Sequence, residues 1–378
     1  MAKLTLTNFR SYARADLEVA SGPVVLAGAN GSGKTNLLEA ISLLSPGRGL
    51  RGAKLNAIQR RAPVAASRER DAAFADSLWA VSASVTRPDG TWDLGTGLVE
   101  AQGSLPRRAL HLNGASAAPS DLVELLPMLW LTPAMDRLFQ DGAAERRRFL
   151  DRLVFALDSS HAKRAARYER AMQERMRLLK AGVRDPVWLD GLEETMAAEG
   201  AAITQARLFT IETLNQELAD RGGEGAFPCS HLALSEKLAE GAGDAGLLQA
   251  ALRSSREKDI EAGRTLAGPH LSDLEVRHTV KRADARDCST GEQKALLVSI
   301  VLANAWVQRK RHHEIAPILL LDEIAAHLDA QRRAALIEEI LALQSQAWLT
   351  GTDKGLFAAF GREAQFFSIS AGQFLRTD

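Results

Sequence analysis

One glycine-rich segment near the start of the chain has residue types and spacing that suit phosphate binding. Residues 28 to 35 read GANGSGKT and fit the pattern GxxxxGK[ST] in full. Glycines let the backbone turn its N–H groups towards an anion, and a helix that begins near Lys34 adds its positive end. Lys34 can bridge the outer phosphates of a nucleotide, and the Thr35 hydroxyl can bind Mg²⁺. The predicted ATP-binding residues of this phosphate loop and its first helical turn are Gly28, Asn30, Gly31, Ser32, Gly33, Lys34, Thr35 and Asn36.

A second segment places two carboxylates directly after an apolar strand. It reads ILLLDE at 318 to 323, and ligands of open α/β sheets bind at the carboxyl ends of strands. We expect Asp322 to hold Mg²⁺ through water. We expect Glu323 to act as the catalytic base, because orienting or deprotonating the attacking water requires an acceptor close to the γ-phosphate. Taken alone the string also fits a helix cap, but together with the phosphate loop it favours a catalytic acidic strand end.

A third segment, STGEQK at 289 to 294, precedes an apolar helical stretch that begins ALLVSI. A serine and a glycine at a helix N-terminus can form a second anion site. Ordinary helix capping explains the same string in isolation. One nucleotide in one chain rarely needs two such sites, so this signature segment needs a separate explanation.

The elements around the phosphate loop follow in the order that nucleotide binding requires. LTLTNF at 4 to 9 and VVLAG at 24 to 28 alternate as strands do, and TNLLEAISLL at 35 to 44 has one apolar helical face. From about 75 to 115 the pattern becomes short and strand-like, with WAVSASV at 79 to 85 and WDLGTGLVE at 92 to 100. These patterns predict a strand, loop and helix unit followed by an antiparallel sheet.

The middle of the chain changes character. Residues 143 to 220 contain few turn formers and predict at least two long helices that break near Asp185-Pro186, whereas 222 to 245 is rich in glycine. The tail predicts a helix at 295 to 308, a strand at 318 to 322, a helix at 332 to 343 and a strand at 347 to 350.

Taken in order, the phosphate loop, the signature segment, the acidic strand end and the following Leu328-Asp329 resemble the head of ABC ATPases. More narrowly, the chain resembles the RecF branch. The stretches that carry this resemblance are TNFRSYARADLE at 7 to 18, GANGSGKTNLLEAISLLSPGRGLR at 28 to 51, RRRFLDR at 146 to 152, RTLAGPHLSDL at 264 to 274 and CSTGEQKALL at 288 to 297. The resemblance implies an α/β fold: an ABC-type P-loop ATPase head, with a mixed sheet and flanking helices, and an inserted, mainly helical second lobe. We expect head residues at 1–126 and 266–378 and the lobe at 127–265.

The resemblance also implies a mechanism. Two heads would pair, so that Ser289 and Gly291 of one subunit close over ATP that lies on Lys34 and Thr35 of the other. Slow hydrolysis of ATP would then reset the dimer, and nucleotide would act as a switch.

Two departures from the family pattern concern this mechanism. Glu292 occupies a signature position where glutamine is more usual, and a carboxylate near phosphate would repel it unless it points elsewhere. The histidine that often follows the last core strand is replaced by the segment LTGTD. Thr350 or Thr352 would therefore sense the γ-phosphate, beside Asp329 of the D-loop. Gln102 and Gln140 are both open as the glutamine of the Q-loop.

Double-stranded DNA, especially where it meets a single-stranded gap, is the partner that the resemblance implies, together with RecO and RecR. The candidate DNA contacts are Arg48, Arg51, Arg107, Arg108 and the run Arg146, Arg147 and Arg148. Arg51 is the strongest of them, since an arginine here lies near nucleotide and DNA in related chromosome-maintenance ATPases. Solvated surface is the alternative interpretation of any one of these side chains.

Composition sets outer limits on these expectations. The 47 basic residues balance 47 acidic ones, so DNA binding must come from local clusters of arginine and lysine. Two separated cysteines and no long apolar run indicate a cytoplasmic protein with no membrane segment.

Two rival functions share some of the motifs. One is an ABC transporter ATPase subunit, and the other is a DNA-binding module with a structural, non-hydrolysing ATP site.

Overall fold

The computed structural model of the protein describes residues 1–60, 78–99, 107–183, 185–222, 225–235, 243–370 and 372–377. The chain divides into two compact units, residues 1–135 with 308–378, and residues 136–307. These limits differ from the expected boundaries at 126/127 and 265/266. The strand at Met128–Leu131 belongs to the first unit because it pairs with the strand at Ile318–Leu321. Residues 266–307 belong to the second unit, where Leu274–His278 pairs with Ser230–Leu234.

The first unit contains two six-stranded sheets. The antiparallel sheet has the order β2-β1-β4-β5-β6-β7, and its strands are β1 (Lys3–Phe9), β2 (Tyr12–Glu18), β4 (Ala80–Arg87), β5 (Gly90–Val99), β6 (Arg107–Leu112) and β7 (Ala115–Ser116). The mixed sheet has the order β15-β14-β3-β13-β12-β8, and its strands are β3 (Val24–Ala27), β8 (Met128–Leu131), β12 (Ile318–Leu321), β13 (Ala347–Gly351), β14 (Gln365–Ser370) and β15 (Gln373–Arg376). The α/β class, the mixed sheet and the antiparallel sheet predicted at 75 to 115 are confirmed, although Glu100 and Gln102 lie outside the described residues.

Helices complete the first unit. They are α1 (Lys34–Ser42), α2 (Pro119–Leu125), the end of α8 (Thr290–Arg311) and α9 (Ala330–Leu343). One apolar core joins both sheets to α1, with Leu6, Leu26, Ile41 and Trp348 all fully buried within it. Because strand and helix on either side of the phosphate loop are anchored in this core, the loop between them is held in place at both ends.

The second unit contains the helices α3 (Ala143–Phe155), α4 (His161–Lys180), α5 (Pro186–Asp220), α6 (Ala245–Ser254) and α7 (Arg256–Ala262), and most of α8. Its three-stranded antiparallel sheet consists of β9 (Ser230–Leu234), β10 (Leu274–His278) and β11 (Ala283–Asp284). The predicted break near Asp185-Pro186 is confirmed. Asp185 caps α5 by accepting a hydrogen bond from the Val187 N–H, and Pro186 occupies the first helical position, which needs no N–H donor.

A buried ionic network lies inside this helical unit. The fully buried Arg175 on α4 donates to Glu193 at 2.8 Å and to Asp259 at 2.7 Å, and both carboxylates are also fully buried. A third bond from Arg175 reaches the Leu252 carbonyl at 2.7 Å. Buried charges are tolerated when they are fully paired in this way, and removing one partner alone would leave an uncompensated buried charge.

No helix in the described part of the chain has a stretch both long enough and apolar enough to cross a membrane.

Candidate nucleotide site

The residues expected to bind phosphate and to hydrolyse it lie at one edge of the mixed sheet. β3 pairs in parallel with β13, and β13 pairs in parallel with β12. The phosphate loop follows β3, and Asp322 follows β12, so only β13 separates them. This edge is the carboxyl end of the parallel strands, where open α/β sheets bind their ligands.

Two glycines of the phosphate loop leave no room for a side chain. A Cβ on Gly33, whose φ is 111°, would lie 2.6 Å from the Tyr12 hydroxyl oxygen. A Cβ on Gly28 would lie 2.6 Å from the carbonyl oxygen of Ile369. Because both distances are shorter than van der Waals contact, the loop can pass this close to its neighbours only with glycine at these positions.

The loop also carries polar groups that match a triphosphate. Lys34 is 4% exposed, and its ammonium donates to the carbonyls of Gly28 at 2.7 Å and Ala29 at 2.9 Å. The Ser32 Oγ is buried and makes no hydrogen bond to any described residue. Buried polar atoms normally have a partner. A phosphate placed in the loop would supply an acceptor to both side chains, so these residues fit a nucleotide.

A chain of hydrogen bonds links the phosphate loop to the acidic strand end. Thr35 Oγ1 donates to Asp322 Oδ1 at 2.9 Å, and Thr350 Oγ1 donates to the same oxygen at 2.7 Å. The Glu323 N–H donates to Thr350 Oγ1 at 2.8 Å. Thr35 and Asp322 therefore present a hydroxyl and a carboxylate oxygen side by side. Mg²⁺ prefers oxygen ligands of this kind and takes the rest from water and phosphate, so the pair fits the predicted metal site.

Thr350 holds Glu323 in an unusual backbone conformation. Glu323 has φ 49° and ψ 28°, in the left-handed region that residues other than glycine seldom adopt. Thr350 is fully buried, and its hydroxyl is shared between Asp322 and the Glu323 N–H. This geometry makes Thr350 a positioning residue for both carboxylates. Thr352 is exposed, and direct sensing of the γ-phosphate by either threonine stays a prediction.

Removing the Thr350 hydroxyl is expected to slow ATP hydrolysis more than it weakens ATP binding. Thr350→Val keeps the shape of the side chain but leaves the Glu323 N–H without its acceptor, at a cost of about 1 to 3 kcal/mol. We expect kcat to fall about tenfold or more, with little change in the ATP concentration that gives half-maximal rate. Phosphate release assays on the variant check this.

Thr350→Ser is the matched control for that experiment. Serine retains the hydroxyl, so this variant should restore most of the rate. Equal loss in both variants would show that the packing of the threonine methyl matters and that the hydroxyl does not.

Tyr12 supports the phosphate loop from β2, a role that no motif in the sequence predicts. Its hydroxyl donates to the Gly33 carbonyl at 3.0 Å, and burial raises the pKa of this phenol well above its usual value. The Phe374 ring stacks on the Tyr12 ring with centroids 5.8 Å apart. Nearby, the Asn36 amide donates to Ser11 Oγ at 2.9 Å. The stretch TNFRSYARADLE carries part of the family resemblance, but no pattern within it indicates a role for Tyr12.

The buried carboxylate of Glu39 on α1 binds two arginines beside the phosphate loop. Glu39 accepts a bidentate pair from Arg10, with Nε at 2.9 Å and the terminal nitrogen at 2.6 Å. Arg51 reaches the same carboxylate at 3.3 Å and the Asn36 side-chain carbonyl at 2.9 Å, while its side chain remains 41% exposed. Arg51 is therefore held beside the phosphate loop with part of its surface open to solvent. Sequence patterns gave no indication of Arg10 or Glu39.

The structure gives Arg108 a structural role. Its guanidinium donates to Thr96 Oγ1 at 2.8 Å, to the carbonyls of Ser45 at 3.0 Å and Gly47 at 2.5 Å, and also to that of Leu43. Burial lowers the pKa of this guanidinium to about 10. A side chain occupied in this way closes the turn after α1, and the predicted contact of Arg108 with DNA stays a prediction.

The other candidate DNA contacts differ in exposure. Arg48 and Arg107 are exposed on the first unit. On the second unit, Arg147 is half-buried and donates to the Ser272 carbonyl at 2.7 Å. Arg148 has a side chain that is 70% exposed and pairs with Glu145 at 2.7 Å. Their contacts with DNA stay predictions.

The Glu292 carboxylate of the signature segment is held by neighbouring residues of the same chain. The Glu292 carboxylate accepts hydrogen bonds from the Ser289 N–H at 3.0 Å and from its hydroxyl at 2.9 Å, and it pairs with Lys281. The Lys281 hydrogen bond, followed by those from Ser289, lowers the pKa of Glu292 to about 2. The acid thus stays ionised at neutral pH and braces the N-terminal turn of α8, where Gly291 lies.

The remaining candidates have structural partners. Asp329 caps α9 by accepting a hydrogen bond from the Arg332 N–H at 2.8 Å. The Gln140 amide donates to the Arg286 carbonyl at 2.6 Å. Neither bond tests the D-loop or Q-loop role, and both roles stay predictions.

Comparisons with known proteins agree on one family for this chain. The family model described as "RecF/RecN/SMC N terminal domain" matches residues 1–371. The chain is 48% identical over 381 residues to the DNA replication and repair protein RecF of Agrobacterium fabrum strain C58, covering 98% of this chain and 97% of the relative. It is 48% identical over 375 residues to the protein of the same name from Caulobacter sp. strain K31, covering 94% and 93%.

Solved structures show the same fold. One described as the recombination mediator protein RecF-ATP in the RecFOR pathway superimposes with a TM-score of 0.81, at 22% identity, over 100% of this chain and 97% of that chain. The Smc head domain from Pyrococcus furiosus gives a TM-score of 0.51 at 18% identity, over 99% and 95%. The expected ABC-type ATPase head fold is confirmed by these likenesses.

Proposed function

The chain belongs to the RecF family of DNA replication and repair proteins, and from this premise we propose that it is an ATP-dependent DNA-binding protein of recombinational repair. The observation that carries the proposal is the hydrogen bond of 2.9 Å between Thr35 and Asp322. It joins the phosphate loop to the acidic strand end, so that residues suited to bind a nucleotide and residues suited to hydrolyse it form one site.

Lys34, Ser32 and the loop N–H groups bind the triphosphate in this proposal, and Thr35 with Asp322 holds Mg²⁺. The metal ion supplies neutralisation of phosphate charge. Glu323 orients or deprotonates the attacking water, and its conformation depends on Thr350. Because a buried threonine stands where many ABC ATPases have a histidine, we propose a weak ATPase whose nucleotide acts as a switch.

The signature segment acts in trans in this account. Ser289 and Gly291 stand at the N-terminal turn of α8, where N–H groups and the helix dipole favour an anion. We propose that two copies of the chain pair around ATP, each supplying its phosphate loop to one site and its signature segment to the other. ATP then favours the closed dimer, and hydrolysis releases it.

Mixing two inactive variants tests this arrangement. Lys34→Ala removes the phosphate-loop cation, and Ser289→Arg blocks the signature segment, so each homodimer lacks every complete site. A mixed dimer keeps one intact pair. If the chains associate at random, half of the dimers are mixed and each has one working site of two, so ATPase activity should return to about one quarter of the wild-type rate.

The mixing experiment has a simple control, and one outcome would contradict the proposed arrangement. Mixing two separate preparations of Lys34→Ala should give no activity at any ratio. If Lys34→Ala and Ser289→Arg together also stay inactive, while both retain native folding, then the signature segment does not complete a partner's site.

DNA is the proposed ligand of the closed dimer, in particular duplex DNA beside a single-stranded gap. Arg51 is the leading contact because Glu39 and Asn36 fix its guanidinium beside the phosphate loop while leaving it 41% exposed. Binding through arginine and phosphate should be sensitive to salt and largely independent of sequence. RecO and RecR are proposed partners, since the similar solved structure is described within the RecFOR pathway.

A further inference from the structure

A groove at the edge of the mixed sheet lies outside the nucleotide site. It runs between the 3-10 helix at Lys354–Phe360 and the strands β14 and β15, and its volume is about 580 Å³. Ala358, Ala364 and Phe366 form an apolar part of its lining. We call this surface the basic edge groove. It shares no residue with the phosphate loop, the acidic strand end or the signature segment.

The charged side chains that line the groove in the described part of the chain are all basic. Lys354, Arg362 and Arg376 line it, and no carboxylate lines it among the described residues. Lys354 and Arg362 are exposed, and neither makes an ion pair with a residue in the described part of the chain. A concave surface that combines an apolar floor with unneutralised cations is complementary to a ligand that carries both apolar groups and negative charge.

The groove borders a strand edge that can accept another strand. β15 is the outermost strand of the mixed sheet, and the Thr377 N–H donates to the Phe366 carbonyl at 2.8 Å. Because main-chain groups alternate along a strand, the Leu375 N–H also faces β14, and the Phe374 N–H faces outward.

Leu375 extends the apolar surface of the same face. It pairs with Ser368, two residues from Phe366, so Leu375 and Phe366 lie on one face of the sheet. Leu375 is 68% exposed. An exposed apolar side chain beside an open strand edge can contact a segment that pairs with that edge.

We propose that the basic edge groove docks an extended, acidic and apolar segment of a partner protein, which adds a strand along β15. Main-chain hydrogen bonds to β15 would give affinity, an apolar side chain would occupy the groove, and carboxylates would meet Lys354 and Arg362. DNA fits the surface less well, because a duplex offers no apolar side chain for the floor and no main chain for the strand edge. The proposal goes beyond the ATP-dependent function and does not depend on it.

The test uses the full-length chain and a fluorescent peptide of about eight residues that alternates aspartate with leucine, a length typical of one strand. Charge reversal by Lys354→Glu with Arg362→Glu should weaken binding about tenfold or more, measured by fluorescence anisotropy. The matched control, Lys354→Arg with Arg362→Lys, keeps the charges and should bind as the wild type does. Peptide binding should also slow hydrogen exchange at the Phe374 amide.

Three results would overturn the docking proposal. They are failure of the acidic peptide to bind the wild-type chain, equal affinity for the charge-reversed and charge-conserving variants, and equal binding of a peptide with lysine in place of aspartate. If charge reversal instead removes binding of a short DNA duplex and spares the peptide, the groove is a nucleic-acid surface. ATP binding measured on the same samples reports on the nucleotide site separately.

Discussion

Replacing Lys34 with alanine is expected to weaken ATP binding about a hundredfold and to abolish the ATP-dependent state of the protein. The Lys34 ammonium lies over the loop, held by the carbonyls of Gly28 and Ala29 at 2.7 and 2.9 Å. Its charge-assisted contact with phosphate is worth about 2 to 3 kcal/mol, which sets the size of the expected loss. Titration with a fluorescent ATP analogue measures the effect directly.

Lys54→Ala provides the control for this variant, because Lys54 is an exposed lysine of the same unit and lies outside the phosphate loop. It should bind ATP as the wild-type chain does. Since Lys34 is 4% exposed and bonded to the main chain, the folding of the Lys34→Ala variant should be checked by its unfolding temperature. A folded Lys34→Ala protein that keeps wild-type affinity would place ATP somewhere other than this loop.

Replacing Glu323 with glutamine is expected to make the ATP-bound dimer persist, whereas Lys34→Ala should prevent it from forming. Glutamine keeps the size of the side chain but cannot accept a proton from water, so hydrolysis should fall about a hundredfold or more. ATP binding depends on the phosphate loop and should remain. The protein should therefore accumulate as an ATP-bound dimer, which size-exclusion chromatography after incubation with ATP and Mg²⁺ would detect.

Glu338→Gln is the matched control, since Glu338 is an exposed carboxylate on α9. It should hydrolyse ATP normally and leave the dimer transient. If Glu323→Gln hydrolyses ATP at the wild-type rate and forms no persistent dimer, Glu323 is not the catalytic base and the proposed switch is contradicted.

The central features of the nucleotide site could be predicted because they depend on local sequence. A glycine-rich turn between a buried strand and a helix can be recognised from adjacent residues alone, and the same is true of an apolar strand that ends in Asp322 and Glu323. In both cases the residues that do the chemistry are next to the pattern that reveals them. The break at Pro186 was predicted for the same reason, since proline limits the backbone of its immediate neighbours.

Features that depend on contacts distant in sequence could not be predicted in this way. The bond from Thr350 to Asp322 joins residues on neighbouring strands, and the bond from Tyr12 to Gly33 joins β2 to the phosphate loop. Nothing in the short run RRALHL distinguishes the half-buried Arg108 from an exposed arginine. Its partners in the turn after α1 lie more than 60 positions earlier in the chain.

Some strands also escaped prediction for a physical reason. β2 reads YARADLE, and two of the three side chains that alternate with its exposed charged residues are alanines, so the pattern has little hydrophobic contrast. β15 has only four residues, and three of them are exposed, which leaves little apolar pattern to detect. β15 nevertheless lines the basic edge groove, and β2 supports the phosphate loop through Tyr12, on which Phe374 of β15 stacks.

The mass of the wild-type protein in solution, with and without ATP and Mg²⁺, tests the central claim most directly. The measurement should be repeated on duplex DNA that carries a single-stranded gap. We predict a monomer without nucleotide, a dimer with ATP, and retention of that dimer on the gapped DNA. An unchanged mass with ATP, whether or not DNA is present, would contradict the ATP-driven dimer.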